Sequence, residues 1–386
     1  MKIAMSKENS FNSGFGINNL AIEAWKQKGK RVIGTICCYV PEEIIHAAGL
    51  LPIRIRATGC TDDSAAEAWM SPFSCSYARS CLEFLMNGTY DYLDGVVSSD
   101  GCLMAGRIYD NWRYAGKEKI NGKKYFLRQV GAPRLLKENT LPFYREELVE
   151  FKKALEEFTG VEITDEKLKV SIELYNETRR LIRELYELRK SNTPVISGSE
   201  TLRITLAAMS MPKEEYNQML KDFLAEAAKR EPITNTRARL MIIGSAIDDP
   251  EYLKVIEDKG GLIVADATCY GSRYLWEPVE VDGGDAMSAL AKSYLSRPTC
   301  PRMCNLHDDL HAFILKAAQD FRIDGIIYAS MKYCEIWGGE NVFLEDKIKE
   351  ANIPLLAVER EEILTNAGQL AVRAEAFIEM IEGGNR

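Results

Sequence analysis

The stretch Arg31-Val32-Ile33-Gly34-Thr35-Ile36-Cys37-Cys38-Tyr39 is a short apolar run of strand character. Pro41-Glu42-Glu43 follows it, and the next segment closes on Gly49. Proline near a first turn, acids at the start and glycine past the end are helix punctuation. Leu51-Pro52-Ile53-Arg54-Ile55-Arg56-Ala57 then reads as a second strand, and a helix over 76–88 leads to a third strand at 95–99. Strand–helix alternation of this kind predicts a parallel sheet.

Outward from this unit the character changes and then returns. From Leu141 to Arg230 the chain is rich in Glu, Lys, Leu and Arg. Its periodicity predicts long helices over 142–158 and 164–190, the second capped by Asp165, with further helices over 200–230 and charged faces turned to solvent. In the last third, apolar runs at 239–245, 262–267, 324–330 and 353–358 alternate with amphipathic segments at 250–258, 284–296, 307–321, 342–350 and 365–382. That pattern predicts a sheet covered on both faces. The expected fold is therefore α/β: two doubly wound parallel-sheet domains of the Rossmann or flavodoxin-like kind, joined by a helical segment. The boundaries are 1–140, 141–235 and 236–386, in keeping with 386 residues at roughly 150 per domain. No internal repeat stands out.

Composition excludes several classes. With 46% hydrophobic and 27% charged residues the chain is ordinary globular material. Its net charge of −8 argues against a nucleic-acid or anionic-membrane binder, either of which needs a basic face. No leader-like run opens the sequence and no 18 apolar residues run together, so a cytoplasmic setting is expected, where disulfides are rare. Three histidines against ten cysteines weaken any reading as a histidine-based hydrolase or histidine-ligated metal enzyme. No GxxxxGK[ST], GxSxG, HExxH or CxxC pattern occurs, and no clean GxGxxG follows a strand.

Free cysteines are usually packing residues. Here, however, Cys38, Cys102, Cys269 and Cys334 sit at the ends of expected strands, and Cys75 just before an expected helix. In open α/β sheets ligands bind beyond the carboxyl ends of the strands. Thiolates are the preferred ligands of iron–sulfur clusters, and three from distant segments can hold three irons of a [4Fe-4S] cluster, leaving one iron open.

Cys38-Tyr39-Val40-Pro41-Glu42-Glu43-Ile44-Ile45-His46-Ala47-Ala48-Gly49-Leu50-Leu51-Pro52, Cys75-Ser76-Tyr77-Ala78-Arg79-Ser80-Cys81-Leu82-Glu83 and Lys332-Tyr333-Cys334-Glu335 together resemble the 2-hydroxyacyl-CoA dehydratase / benzoyl-CoA reductase family. The likeness spans the chain, including Glu359-Arg360-Glu361 and Gly368-Gln369-Leu370. It implies two α/β domains with an oxygen-sensitive [4Fe-4S] cluster between them, on the cysteines matching Cys75, Cys102 and Cys334. It also implies one-electron chemistry on an acyl-CoA thioester, a related sister subunit or a second copy of the chain, and a separate ATP-hydrolysing iron–sulfur activator. The missing P-loop suits that division of labour. Leu103 stands where many relatives have Asp.

Three branches remain open. The Tyr333-Cys334-Glu335-Ile336-Trp337-Gly338-Gly339-Glu340 segment is similar to the benzoyl-CoA reductase branch, which is favoured. A 2-hydroxyacyl-CoA dehydratase subunit, eliminating water through a ketyl radical, comes next. A double-cubane [8Fe-9S] reductase comes third, with Cys269, Cys300 and Cys304 as second-cluster candidates. A non-catalytic electron-relay subunit is carried beside them. Glu43 and Glu335 are the candidate catalytic acids, with Trp337 beside the latter. Cys37, Cys38, Cys60 and Cys81 read as packing, and His46 as a packed helix residue. His307 and His311 read as part of a solvated helix start. Arg54 and Arg56 are candidates for CoA phosphates or for the surface.

Overall fold

The computed structural model describes residues 11, 14–117, 122, 124–275, 277–281, 283–297 and 300–384. The first sheet comprises β1 (Val32–Ile36), β2 (Leu51–Arg54), β3 (Gly95–Ser99) and β4 (Phe126–Val130). The second comprises β5 (Ala238–Gly244), β6 (Gly261–Ala267), β7 (Gly325–Met331) and β8 (Leu355–Arg360). Both are wholly parallel, in the orders β2-β1-β3-β4 and β6-β5-β7-β8. The two halves thus repeat one strand order, a likeness of topology that the sequence does not display.

Every residue of β1, β3 and β6 is buried, as strands covered on both faces require. The covering helices of the first half are α1 (Leu20–Gln27), α2 (Glu42–Ala47), α3 (Ser76–Met86) and α4 (Leu103–Ala115). Four helices come next in chain order: α5 (Thr140–Thr159), α6 (Asp165–Lys190), α7 (Gly198–Ala208) and α8 (Lys213–Ala227). Thr164, rather than Asp165, caps α6 by accepting from the Lys167 N–H. Asp165 instead accepts from the Ala286 N–H, 3.0 Å away. The second half adds α9 (Pro250–Glu257), α10 (Ser272–Leu275), α11 (Ala286–Ser296), α12 (His307–Asp320), α13 (Glu335–Glu350) and α14 (Ala367–Gly384). Among the described residues no helix is long and apolar enough to cross a membrane.

Helices α5 to α8 bind to both sheets. Tyr144 of α5 donates to Tyr39 O at 2.5 Å, Arg179 of α6 pairs with Glu43 at 2.5 Å, and Arg189 of α6 donates to Ile263 O at 2.7 Å. One continuous apolar core accordingly runs from Ile33 through Phe151 and Leu185 to Ile327.

Candidate functional site

The strand order reverses between β1 and β3 in the first sheet and between β5 and β7 in the second, and such reversals open a crevice beyond the strand ends. The two crevices face each other. Cys37 and Cys38 follow β1, Cys102 follows β3, Cys269 follows β6 and Cys334 follows β7. With Cys75 and Cys300 they line a single cavity of about 120 Å³, so seven of the ten cysteines face one space. Its remaining wall is mostly apolar, including Ile36, Met104, Ile108, Met331 and Trp337. Two of the four described non-glycine residues with positive φ lie in these turns, Cys37 at 73° and Tyr333 at 61°. Backbone strain of this kind persists where the surroundings over-determine it.

The thiols fall into two groups. Cys75, Cys102 and Cys334 are each the N-cap residue of a helix, α3, α4 and α13 respectively; Cys75 senses Cys334 and Cys102 senses both, while Cys102 also senses Cys37 and Cys334 senses Cys269 across the groups. None makes a capping hydrogen bond of ordinary geometry, yet the N–H groups of Ala78, Ala105 and Trp337 favour the respective thiolates. Burial outweighs them: it pushes Cys75 up to about 12 and Cys334 to about 11, and raises Cys102 well above the ordinary thiol range. Side chains flanking this group are exposed, namely Phe73, Leu103 and Tyr333.

Cys37, Cys38, Cys269 and Cys300 form the second group. Cys37 and Cys38 are hydrogen-bonded to each other, Cys38 senses Cys269, and Cys300 senses Cys269 and Cys37. The Cys38 contact lowers Cys37 well below the usual thiol value; burial opposes this, while Arg302, Ser99 and Arg54 assist it. Arg273 Nη2 donates to Cys269 Sγ at 2.8 Å. Arg302 is fixed by donating to Asp100 O and Ala132 O, both at 2.7 Å. Gly101 lies against Cys37, and a Cβ added there would stand 2.8 Å from Cys37 Sγ.

Other expected residues fall in different places. Glu335 is exposed and off the cavity wall; its Oε1 accepts from the Leu103 N–H at 3.1 Å, tying the start of α13 to that of α4. Glu43 is fully buried in a pair with Arg179 and accepts from Tyr294 at 2.7 Å, away from the cavity. Cys304 is exposed and outside the cavity, and Cys60 and Cys81 pack in the core of the first half. Cys38 packs in the core and Cys37 against it, as expected, and both also reach the cavity wall. Glu340, buried on α13, accepts from both His307 and His311, at 2.6 and 2.5 Å; His307 stays partly exposed at the helix start, whereas His311 is buried. Neither Arg54 nor Arg56 is on the surface. Arg54 lines the cavity, and Arg56 donates to Thr58 and Ser210. His46 bonds Ser171 and Glu214. Trp337 lines the cavity, with Arg273 over its ring.

Sequence reasoning missed Cys37, Arg273 and Arg302. Cys37 carries the same strand-end signal as Cys38. The arginines carry none in the sequence: only the fold turns Arg273 back onto Cys269 and brings Arg302 beside Cys37 of the other half.

Among the described residues no three His, Cys, Asp or Glu side chains gather closely enough for a single metal ion. A multi-iron cluster is larger than an ion and takes its thiolates from around a cavity. Seven thiols, apolar walls, three helix N-termini and fixed arginines suit such a group.

Comparison with known proteins gives the family. The family model described as 2-hydroxyglutaryl-CoA dehydratase, D-component, matches residues 37–381. A benzoyl-CoA reductase subunit of Thauera aromatica is 30% identical over 91% of this chain and 90% of its own length. The beta subunit of (R)-2-hydroxyglutaryl-CoA dehydratase of Acidaminococcus fermentans is 26% identical over 92% of this chain and 94% of its own length. The (R)-phenyllactyl-CoA dehydratase beta subunit of Clostridium sporogenes is 25% identical over 92% and 93%. The chain belongs to the 2-hydroxyglutaryl-CoA dehydratase D-component family, whose members are enzyme subunits.

Proposed function

We propose that this chain is the iron–sulfur component of a low-potential reductase, holding a double-cubane [8Fe-9S] cluster in the cysteine-lined cavity. The supporting observation is that seven cysteines face one space in two adjacent groups. Of eight irons, two share the bridging sulfide, so six need a thiolate, and the cavity offers that number with one to spare. In the second group Cys37 and Cys38 stand with Cys269 and Cys300, in place of the exposed Cys304.

When bound, such a group would supply electrons one at a time at low potential. The chain's own residues do the rest. Burial raises the Cys75, Cys102 and Cys334 thiols, so binding such a group there would displace their protons. Ile36, Met104, Ile108 and Met331 exclude water. Tyr77 and Tyr270 hold protons at their Oη atoms on the cavity wall, 2.5 Å from each other, and burial keeps both phenols neutral. Electrons come from a separate ATP-hydrolysing iron–sulfur activator, and the setting is cytoplasmic.

The relatives' names support a second reading. Here Cys75, Cys102 and Cys334 alone hold a [4Fe-4S] cluster, beside which a sister subunit or second copy helps to bind an acyl-CoA. Benzoyl-CoA reductase-type ring reduction leads, with 2-hydroxyacyl-CoA dehydration after it. Glu335 is then the nearest candidate acid to the cysteine-bearing turns. Iron analysis of anaerobically isolated protein separates the readings: about eight irons per chain for the first, about four for the second. No iron at all would sink both. An assay with activator, ATP and reductant then names the branch. Ring-reduced product from benzoyl-CoA, or an enoyl-CoA from a 2-hydroxyacyl-CoA, sustains the second reading.

A further inference from the structure

Buried positive charge gathers around one thiol group and not the other. Arg273 touches Cys269 and influences Cys300 and Cys38. Arg302 influences Cys37 and Cys300, and Arg54 influences Cys37 and Cys38. All three guanidinium groups are buried, with 2–5% of each residue exposed, so solvent screens them little. They are also held in place: Arg273 lies 4.8 Å over the Trp337 ring and Arg302 lies 4.3 Å over the Tyr39 ring. No arginine is among the groups that act on Cys75, Cys102 and Cys334; the charged side chain beside Cys75 and Cys334 is instead the carboxylate of Glu335.

We propose that Arg54, Arg273 and Arg302 are positioning residues that polarise the site, making the second thiol group its electron-accepting end. This deepens the two-cubane reading and rests on it. The first group lies on turns with exposed flanks, and the second is flanked by buried residues, Tyr39, Tyr270 and Arg302. An electron entering at the exposed side therefore runs down a gradient of fixed charge toward the interior. The step balances simply. One electron leaves a reduced, low-potential iron–sulfur protein donor, which is oxidised. The irons on Cys37, Cys38, Cys269 and Cys300 gain it and are reduced, and no bond is made or broken.

The test is a redox titration of the iron-loaded chain against titanium(III) citrate with mediators, followed by electron paramagnetic resonance. Arg273→Gln removes a buried unit charge in contact with one thiol of the group, and Arg273→Lys retains it. A unit charge at this range in a poorly screened site shifts the reduction equilibrium at least tenfold. For one electron that is a fall of about 59 mV. The expected result is that fall in the signal that also responds to Cys269→Ser, with the other signal unmoved and Arg273→Lys closer to the parent. An Arg273→Gln protein that keeps its iron and moves neither potential, or one matched by Arg273→Lys, overturns the proposal. If Arg273→Gln sheds iron, Arg302→Gln and Arg54→Gln repeat the measurement. Iron loss in all three glutamine variants but in none of the lysine variants sustains the charge argument; loss in the lysine variants too overturns it. A parent chain holding only four irons refutes the two-cubane reading itself, an outcome distinct from unmoved potentials in a chain that holds eight.

Discussion

Gly101→Ala isolates the contact on which the second thiol group depends. An added Cβ would stand 2.8 Å from Cys37 Sγ, 3.3 Å from Cys37 Cβ and 3.2 Å from Ala105 Cβ. Ordinary contact is about 3.5–4.0 Å, so the sulfur must withdraw by roughly 1 Å. It has little freedom to do so, because the Cys37 backbone is held at φ 73° and its thiol is bonded to Cys38. Overpacking of this kind costs about 1–3 kcal/mol, which lowers the melting temperature by several degrees without unfolding the chain. A metal site tolerates only about 0.5 Å of ligand displacement, so the larger effect falls on occupancy. The expected result is a folded protein that keeps the irons of the first group and loses those of the second. The assay is iron per chain on anaerobic protein, with thermal unfolding alongside. Gly106→Ala is the control: it lies on the same helix, α4, and its added Cβ meets nothing within 4 Å. It should hold full iron and gain about 0.5–1 kcal/mol from helix propensity. A Gly101→Ala protein with the parent's iron content would refute the placement of Cys37 among the ligands.

Serine at Cys75, Cys102 or Cys334 is expected to remove at least the first group's irons, whereas serine at Cys304 or Cys81 leaves the iron count unchanged; loss of iron in Cys304→Ser would restore that residue as a ligand. Arg179→Met leaves Glu43 buried without its partner and is expected to cost about 3–5 kcal/mol at pH 7 in denaturant unfolding. Burial alone would raise the Glu43 carboxyl, but Arg179, Tyr294 and Arg297 hold it below its ordinary value. The stability it contributes is therefore present above that ordinary value and lost as pH falls through the lower folded one. The gap between parent and variant should narrow below about pH 4.5, and a gap that stays constant to pH 3 contradicts the assignment. In iron-free chain at pH 7, iodoacetamide should label Cys37, whose thiol is lowered, well before Cys75, which burial pushes up to about 12. Equal rates by peptide mapping would remove that distinction.

The fold was legible wherever strands are buried on both faces. The apolar runs ending at Ile36, Ser99, Gly244, Ala267 and Met331 all became strands within a residue or a few of their expected limits. β4 was not legible because Phe126-Leu127-Arg128-Gln129-Val130 is an edge strand whose middle residues are partly exposed and polar. α4 was missed because glycine, aromatic and Asp/Asn residues interrupt its helix formers, and its start is fixed by Cys102 and by Glu335 from the other half. α13 begins at Glu335 rather than near 342, since Gly338 and Gly339 mask its first turns and only the Cys334 cap reveals them. The burial of His311 was hidden for a similar reason: its acceptor, Glu340, which it shares with His307, lies on a different helix.

The two halves share a strand order, and Cys102 and Cys334 occupy equivalent places in it, each capping the helix that follows the third strand of its sheet. A repeated fold brought together at its two strand-order reversals thus supplies matched ligands without any ligand spacing in the sequence. Each thiol group then straddles the junction. The first takes Cys75 and Cys102 from one half and Cys334 from the other; the second takes Cys37 and Cys38 from one half and Cys269 and Cys300 from the other. On the proposed ligand sets, neither half would hold a cluster with its own thiols alone. Binding free energy released in the cavity is therefore also energy holding the halves together, because metal binding is linked to the fold that assembles its ligands. The same coupling explains why the arginines are drawn from both sides of the junction, Arg54 from the first half and Arg273 and Arg302 from the second. Charge and ligands are assembled by one docking event, so the electrostatic polarity of the site exists only in the closed arrangement.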